Sequence, residues 1–240
     1  MYAQAKPRQQ SRQRWFLQAS AQRDCRNMDS VIDAPIWLRG ALSQEALRGL
    51  DPFFDGAHRP GNRLALDARL LAALSPVDAQ IQQVAAKMRP VHALAFNKTA
   101  QTNWALPWHQ DRVIAIQDRH DVPGFQSWSQ KHGAWHCEPP LKLLTRMLFV
   151  RVHMDDTDAD RGAMEIANGS HKAGIVKSDM AAQVAKGYPT QICSAARGDI
   201  LILPMLTLHR SLAAPSPTAR RVFRLDYAAT ALPAPLRWAN

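Results

Sequence analysis

The chain has 240 residues, of which 46% are hydrophobic and 21% charged, and these proportions exclude extensive disorder and allow one large domain with its own core. Its formal net charge of +10 would favour nucleic-acid binding, but residues 1–27 carry half of that excess, so we expect no nucleic-acid partner. No apolar run approaches the roughly 20 residues of a membrane helix, and three widely spaced cysteines argue against a disulfide framework. We therefore expect a cytoplasmic protein without a membrane partner.

The first segment of the chain, residues 1–27, is rich in Gln and Arg and poor in acidic residues. It lacks the apolar stretch of a secretory signal. We expect a basic, disordered extension, followed by a single folded domain over residues 28–240.

Two segments after this extension have the periodicity of helices. Residues 34–50 have helical spacing, and Ser43 is a cap candidate before the run EALRGL. Residues 64–88 predict two helices divided at Ser75–Pro76, because proline normally interrupts a helix. The N-terminal half of the domain is therefore expected to be mainly helical.

From about Val91 onward the pattern changes to short apolar runs between turn residues, which predicts strands: VHALAF, VIAIQD, LTRMLFVRVHMDD, AMEIA, DILILP and RVFRLDY. Strands that follow one another without helices between them favour an antiparallel sandwich or barrel. Alternation in the third run places one mixed face opposite one apolar face: Met147, Phe149, Arg151 and His153 against Leu148, Val150, Val152 and Met154. The mixed face would suit a cavity for a polar ligand.

The stretch PWHQD, residues 107–111, places an imidazole and a carboxylate two residues apart. Residues i and i+2 of an extended segment point the same way, so His109 and Asp111 can reach one ion, although the spacing also fits a histidine bonded to a nearby aspartate in a turn. His209, just after the apolar run LILPMLTL, is the candidate third ligand. Two histidines and one carboxylate leave about half of a coordination sphere open, as in non-haem Fe(II) oxygenases.

An oxygenase of this kind also needs a cation for the far carboxylate of its cosubstrate. Arg220 lies eleven residues after His209, and an arginine fork binds both oxygens of a carboxylate. Strand alternation places Arg220 on the same face as Arg224, with Arg221 on the opposite face. Taken alone, an arginine in a strand is usually a surface residue.

The combination of WHQD, RGAMEIANGSHKAG, GDILILPMLTLHRS and the arginine that follows resembles the phytanoyl-CoA dioxygenase family of Fe(II)- and 2-oxoglutarate-dependent oxygenases. The likeness spans about residues 90–230, and FNKTAQTNWALPWHQD resembles bacterial members of the family. Two departures concern local turns: Asn168 stands where the family usually has proline before GSH, and LAAPSP replaces a Pro-Asn pair after the distal histidine.

This resemblance implies a mainly β fold with flanking helices, the double-stranded β-helix (jelly roll, cupin-like). It implies His109, Asp111 and His209 as ligands of Fe(II), with 2-oxoglutarate and O2 as the other cofactors. Arg220 matches the arginine that binds 2-oxoglutarate, and Ser211 matches a hydroxyl that assists it. The implied reaction is hydroxylation of a C–H bond in a small-molecule substrate, with release of succinate and CO2.

Three further residues are candidates for contacts with the cosubstrate. Arg151 is one, because a cation on the mixed face of a central strand needs a carboxylate partner, from cosubstrate or substrate. Lys98 and Asn103 are the others, although a solvated lysine and a turn-forming asparagine would explain them as well. We also expect tryptophans near the metal, such as Trp104, to line the substrate cavity, and residues 117–140 to form a loop that covers it.

A second class of function remains open from the residues themselves. A cupin-like protein with a different ion, acting as a hydrolase, an isomerase or a binding module, could use the same three ligands. The arginine and the serine after the distal histidine favour the oxygenase, because a hydrolase has no use for a carboxylate clamp opposite an open metal site.

Overall fold

The computed structural model describes residues 30–55, 61–131, 133–215 and 219–239. The predicted basic extension, residues 1–27, lies outside these ranges. Within them the elements follow in this order: β1 (Ile36–Leu38), α1 (Gln44–Leu50), a 3₁₀ helix (Asp51–Phe54), β2 (Asn62–Leu64), α2 (Ala68–Val84), β3 (Arg89–Lys98), β4 (Leu106–His109), β5 (Ile114–Ile116), β6 (Gln126–Lys131), β7 (Ala134–Glu138), α3 (Leu141–Leu144), β8 (Met147–His153), β9 (Met164–Ala167), 3₁₀ helices at Ser170–Ala173 and Ser178–Met180, α4 (Ala181–Ala185), β10 (Thr190–Ile192), β11 (Ile200–Pro204), β12 (His209–Ser211) and β13 (Arg220–Ala228).

The strands of the described ranges form three antiparallel sheets. The largest has the order β1-β11-β8-β13-β3-β2, the second β10-β9-β12-β4, and the smallest β5-β7-β6. Met164 and Ile166 of the second sheet pack against Phe149 and Leu201 of the first, so these two sheets face each other. From β3 onward the chain passes repeatedly between them, which is the path of a jelly roll. The predicted double-stranded β-helix is confirmed.

The two faces of β8 show how the sequence builds this sandwich. Its apolar face packs against the helices, with Val150 in the same core as Leu70 and Ile81 of α2. Its mixed face points between the two large sheets, where Met147 and Phe149 meet the second sheet. The helices thus cover the outer face of the large sheet, and the polar side chains of β8 are left to face the interior.

The prediction of two helices over residues 64–88 is wrong, because α2 runs without a break through Pro76. Asp67 caps its first turn by accepting a hydrogen bond from the Leu70 amide. Leu74 and Val77, on either side of the proline, are both fully buried. Packing of this continuous apolar face outweighs the cost of an interior proline, about 3 kcal/mol.

The helix predicted over residues 34–50 begins only at Gln44, after the Ser43 cap. Ile36–Leu38 instead form β1, which pairs with β11 and is itself the edge strand of the sheet. Hydrogen bonds to a strand distant in sequence here override a local helical pattern. Among the described helices, none is long and apolar enough to cross a membrane.

Candidate metal centre

The structure brings His109, Asp111 and His209 together at one end of the sandwich. Strands β4 and β12 pair with His109 directly opposite His209, and Asp111 follows in the loop before β5. Nε2 of His209 lies 3.1 Å from Oδ2 of Asp111, and Nε2 of His109 lies 3.9 Å from Oδ1. One ligand atom from each residue lies within 4.8 Å of the other two. One ion can therefore contact all three.

Both imidazoles are oriented by backbone carbonyls two residues earlier in the chain. Nδ1 of His109 donates to the Pro107 carbonyl at 2.7 Å, and Nδ1 of His209 donates to the Thr207 carbonyl at 2.9 Å. A proton on Nδ1 leaves the lone pair on Nε2, the atom that faces the carboxylate. Burial and the neighbouring His209 lower the pKa of His109, which favours the neutral, metal-binding form. Two imidazole nitrogens and one carboxylate suit Fe(II) with open positions.

Asp111 is held in its ionised form by Arg224, a partner that the sequence did not reveal. Burial alone would raise the pKa of Asp111, but Arg224 and the two histidines hold it well below its usual range. Nη1 of Arg224 lies 2.7 Å from Oδ2 of Asp111. Asp226 binds Nε and Nη2 of the same guanidinium at 3.0 and 3.1 Å and also contacts His92. The sequence did contain one indication of this role, because strand alternation places Arg224 on the same face as Arg220.

Gln110, between the two ligands of β4 and its loop, anchors the motif to the rest of the sandwich. Its Nε2 donates to the carbonyls of Gly174 and Leu206, both at 2.8 Å. Its Oε1 accepts from the Val176 amide at 2.8 Å. The Gln110 side chain, which lies between the two candidate ligands in sequence, therefore fixes the backbone that carries them.

We expect Gln110→Ala to weaken both folding and metal binding. Three backbone groups would lose their partners, and each unsatisfied buried group costs about 1 kcal/mol or more, so the free energy of unfolding should fall by about 2–4 kcal/mol. Metal affinity should fall about tenfold, as for other residues that orient ligands. Urea denaturation and anaerobic calorimetry measure the two effects. Gln117→Ala, at an exposed glutamine, is the control, and equal behaviour of the two variants would contradict the anchoring role.

Two positive side chains, for which the described residues provide no carboxylate partner, lie at and behind the wall of the cavity that His109, Asp111 and His209 also border. Arg220 of β13 is opposite Lys98 of β3, and both are buried. Lys98 Nζ donates to the Leu212 carbonyl at 2.6 Å and the Ser211 hydroxyl at 3.2 Å. Nη1 of Arg220 donates to the Gly162 carbonyl at 2.7 Å, and its Nε has no partner among the described residues. The part of the cavity next to Arg220 is suited to an anion.

Close packing around Lys98 explains why residue 162, in the segment RGAMEIANGSHKAG, is a glycine. Gly162 has φ +68°, and a Cβ there would approach both the Leu212 carbonyl oxygen and Lys98 Nζ to 2.9 Å.

Burial, with nearby arginines, lowers the pKa of Lys98 to about 8. Burial lowers the pKa of Arg220 to about 10. Both side chains thus stay largely protonated near neutral pH.

The remaining predicted site residues differ in where the structure places them. Arg151 borders the cavity, as do Ser211 and Trp104, whereas Lys98 lies behind Ser211. Asn103 has a structural contact instead: its amide donates to the Ala214 carbonyl at 2.9 Å and accepts from the Ala214 amide at 2.7 Å. Asn103 is therefore not part of the proposed cosubstrate site.

The segment predicted to cover the site, residues 117–140, mainly forms strands. Its described part contributes β6 and β7, which pair with β5 in the small sheet. The cavity is bordered by residues of β3, β4, β8, β9, β12, β13 and adjacent loops, and none of them belongs to the described part of 117–140. The prediction of a lid from this segment is not supported by its position.

Comparison with known proteins agrees with this architecture. The family model "Phytanoyl-CoA dioxygenase (PhyH)" matches residues 45–222. No curated protein sequence matches the chain at a significant level.

Solved structures of low sequence identity share the fold. AviO1 from Streptomyces viridochromogenes Tue57 is 16% identical with a TM-score of 0.55, over 90% of this chain and 96% of that one. HygX from Streptomyces hygroscopicus, with nickel and 2-oxoglutarate bound, is 16% identical with a TM-score of 0.54, over 82% of each chain. SnoN, a non-haem α-ketoglutarate-dependent epimerase from nogalamycin biosynthesis, is 15% identical with a TM-score of 0.52, over 87% of this chain and 82% of that one.

A match that spans most of the chain, on a jelly roll whose strands bring the HxD pair and the distal histidine together, assigns the family. The chain belongs to the phytanoyl-CoA dioxygenase family, whose members use Fe(II), 2-oxoglutarate and O2.

Proposed function

We propose that this protein is an Fe(II)- and 2-oxoglutarate-dependent dioxygenase that hydroxylates a C–H bond of a small organic substrate, releasing succinate and CO2. The observation that carries the proposal is one cavity lined by both kinds of group. His109, Asp111 and His209 converge on it, and Arg220 lines the same cavity. A dicarboxylate that chelates an ion with one end and pairs with a guanidinium at the other fits this arrangement.

The three side chains fit a ferrous ion by the chemistry of their donor atoms. Two imidazole Nε2 atoms and one carboxylate oxygen are the donor set that ferrous oxygenases use, and an ion held by these three residues would keep positions open for cosubstrate and O2. When bound, the ferrous ion supplies the redox chemistry that couples decarboxylation of 2-oxoglutarate to oxidation of the substrate. The protein supplies orientation and a cavity from which water is largely excluded.

The chain's own residues then have distinct tasks. Arg220 pairs with the distal carboxylate of 2-oxoglutarate, using the Nε for which the described residues offer no partner. The Ser211 hydroxyl adds a hydrogen bond, and Lys98 orients that hydroxyl while adding positive charge behind it. Arg224 contacts Oδ2 of Asp111 and keeps the carboxylate ionised, so that it would be able to hold the ion together with the two imidazoles.

The alternative of a hydrolase, isomerase or binding module accounts less well for the same cavity. Such a protein could use the three ligands, but it would have no anion for Arg220, which is buried at the same cavity without a carboxylate partner among the described residues. A buried cation without a partner is costly, so the cluster is best explained by an anionic cosubstrate.

The test is anaerobic addition of Fe(II) and 2-oxoglutarate to the full chain. We expect a weak visible charge-transfer band that requires both components, because only the keto-acid chelate on Fe(II) produces it. Zn(II) in place of Fe(II) should give no band. Admission of O2 should then release succinate, detected by mass spectrometry.

A matched pair of histidine variants locates the signal. His109→Ala should abolish the band, whereas His120→Ala, at an exposed histidine, should retain it. A band that survives His109→Ala, or no band in the wild-type protein, would remove the proposed site.

A further inference from the structure

The walls of the cavity carry more positive charge than the proposed cosubstrate neutralises. Among the described residues at and directly behind this wall, buried cations outnumber the carboxylates that face them by two: Lys98, Arg151, Arg220 and Arg224 against Asp111 and Asp226. A ferrous ion adds two positive charges, and the 2-oxoglutarate dianion removes the same number. An excess of two therefore remains after ion and cosubstrate are bound, and a further anion would lower the energy of the filled cavity.

Arg151 is the cation for which the proposed function provides no counter-charge. It lies on the central strand β8, opposite Arg224 of β13, and is only 7% exposed. Its Nε is buried without a hydrogen-bond partner in the described part of the chain. Burial and the neighbouring Arg220 lower the pKa of Arg151 to about 9, so it remains a cation near neutral pH.

Neighbouring acidic groups do not balance Arg151. Burial raises the pKa of the nearby Cys193 to about 12, so that side chain is a neutral thiol. Asp199 directly precedes β11, the strand next to β8. It binds Arg39 at 2.6 Å and accepts a hydrogen bond from the amide of Gly40 at 2.8 Å. Asp111 is already occupied by Arg224. The guanidinium of Arg151 thus faces the cavity with its charge uncompensated by the described residues.

Apolar side chains line the rest of the cavity. Phe149 and Met164 lie beside the metal ligands, and Trp104 and Leu106 lie towards solvent. Leu106 is 42% exposed, which places the apolar wall at the mouth. A ligand that matches this lining has an anionic group at the inner end and an apolar part directed outward.

We propose that Arg151 anchors the substrate, and that the substrate is a small organic acid whose carboxylate pairs with Arg151 while its apolar part lies against Phe149 and Trp104. The inference rests on the proposed function, in which the cosubstrate occupies Arg220. Because Arg224 lies opposite Arg151 and contacts Asp111 at 2.7 Å, a carboxylate on Arg151 holds its neighbouring carbon atoms close to the metal ligands. The C–H bond to be oxidised is therefore near the acid group.

The experiment compares acids with uncharged analogues of the same shape. Phenylacetate and phenylacetamide, and pentanoate and pentanamide, are titrated by calorimetry into the anaerobic protein loaded with Fe(II) and 2-oxoglutarate. We expect each acid to bind at least about tenfold more tightly than its amide, because a charge-assisted pair with a buried guanidinium is lost in the amide. Benzylphosphonate separates carboxylate selectivity from a general preference for anions, and tighter binding of the phosphonate would overturn the assignment to a carboxylic acid.

Variants assign the preference to Arg151. Arg151→Met should reduce the acid-to-amide ratio to about one while the Fe(II)–2-oxoglutarate band still forms, and Arg151→Lys, which keeps the charge, should retain a preference for acids. Arg146→Met, the same change at an exposed arginine just before β8, should leave the ratio unchanged. The inference is overturned by equal binding of acids and amides, by no acid binding in the wild type, or by loss of the band in Arg151→Met, which would make Arg151 a cosubstrate residue. Absence of the band from the wild type would instead show that the proposed function is wrong.

Discussion

Replacement of Asp111 by alanine should reduce the affinity for Fe(II) by at least about 100-fold, or about 2.7 kcal/mol. Asp111 is the only anionic ligand of the three. Its removal also leaves the guanidinium of Arg224, now 2.7 Å from the carboxylate, next to the ion site without the charge that screens it. The divalent ion would then lose an attraction and meet a repulsion. Anaerobic calorimetry with Fe(II), and the visible spectrum with Co(II), measure the loss.

Two further variants separate these two causes. Asp121→Ala, at a carboxylate whose side chain is 91% exposed, should bind Fe(II) as the wild type does. The double change of Asp111→Ala with Arg224→Met should bind Fe(II) more tightly than Asp111→Ala alone, because one positive charge next to the ion site is gone. Wild-type affinity in Asp111→Ala would show that the ion does not bind at these three side chains.

Replacement of Arg220 by methionine should raise the dissociation constant for 2-oxoglutarate by at least about 100-fold and leave Fe(II) affinity unchanged. Each hydrogen bond between a guanidinium and a carboxylate contributes about 1.5–3 kcal/mol, and a forked pair contributes two. Arg220→Lys should recover only part of the loss, because an ammonium is a point charge and does not match both oxygens. Calorimetric titration of 2-oxoglutarate into the anaerobic Fe(II) protein gives the constants.

The adjacent arginine is a matched control for this change. Arg221 is on the opposite face of β13, where it binds Asp155 at 2.7 Å and Asp51 at 2.8 Å. Arg221→Met should lower the free energy of unfolding while 2-oxoglutarate still binds with wild-type affinity. Similar loss of 2-oxoglutarate in both variants, or none in Arg220→Met, would show that Arg220 is not the clamp.

Local patterns were sufficient for the features that depend on strand geometry. The two-residue period of a strand correctly separated the two faces of β8, because successive side chains in a strand must alternate. The same two-residue period correctly predicted that the side chains of His109 and Asp111 lie close to each other. The position of His209 just after an apolar run made it the third candidate ligand, and the structure places it beside the other two. Resemblance to a family implied the jelly roll, which the strand order confirmed.

Contacts between distant segments decided what the local patterns did not. Pro76 lies within one continuous helix because the buried face of α2 extends to both sides of it, and β1 is a strand because β11 provides an edge to pair with. Asn103 is occupied by the backbone of Ala214, a residue far along the chain.

The amino-acid sequence by itself therefore determined which side chains are candidates to bind an ion and an anion, since that depends on residue type and spacing along a strand. The tertiary structure alone decided their partners: Arg224 binds Asp111, Lys98 orients Ser211, and Arg151 has no described counter-charge. The physical reason is that the charge balance of a buried site depends on which strands become neighbours, and that neighbourhood is fixed by packing of the whole sandwich.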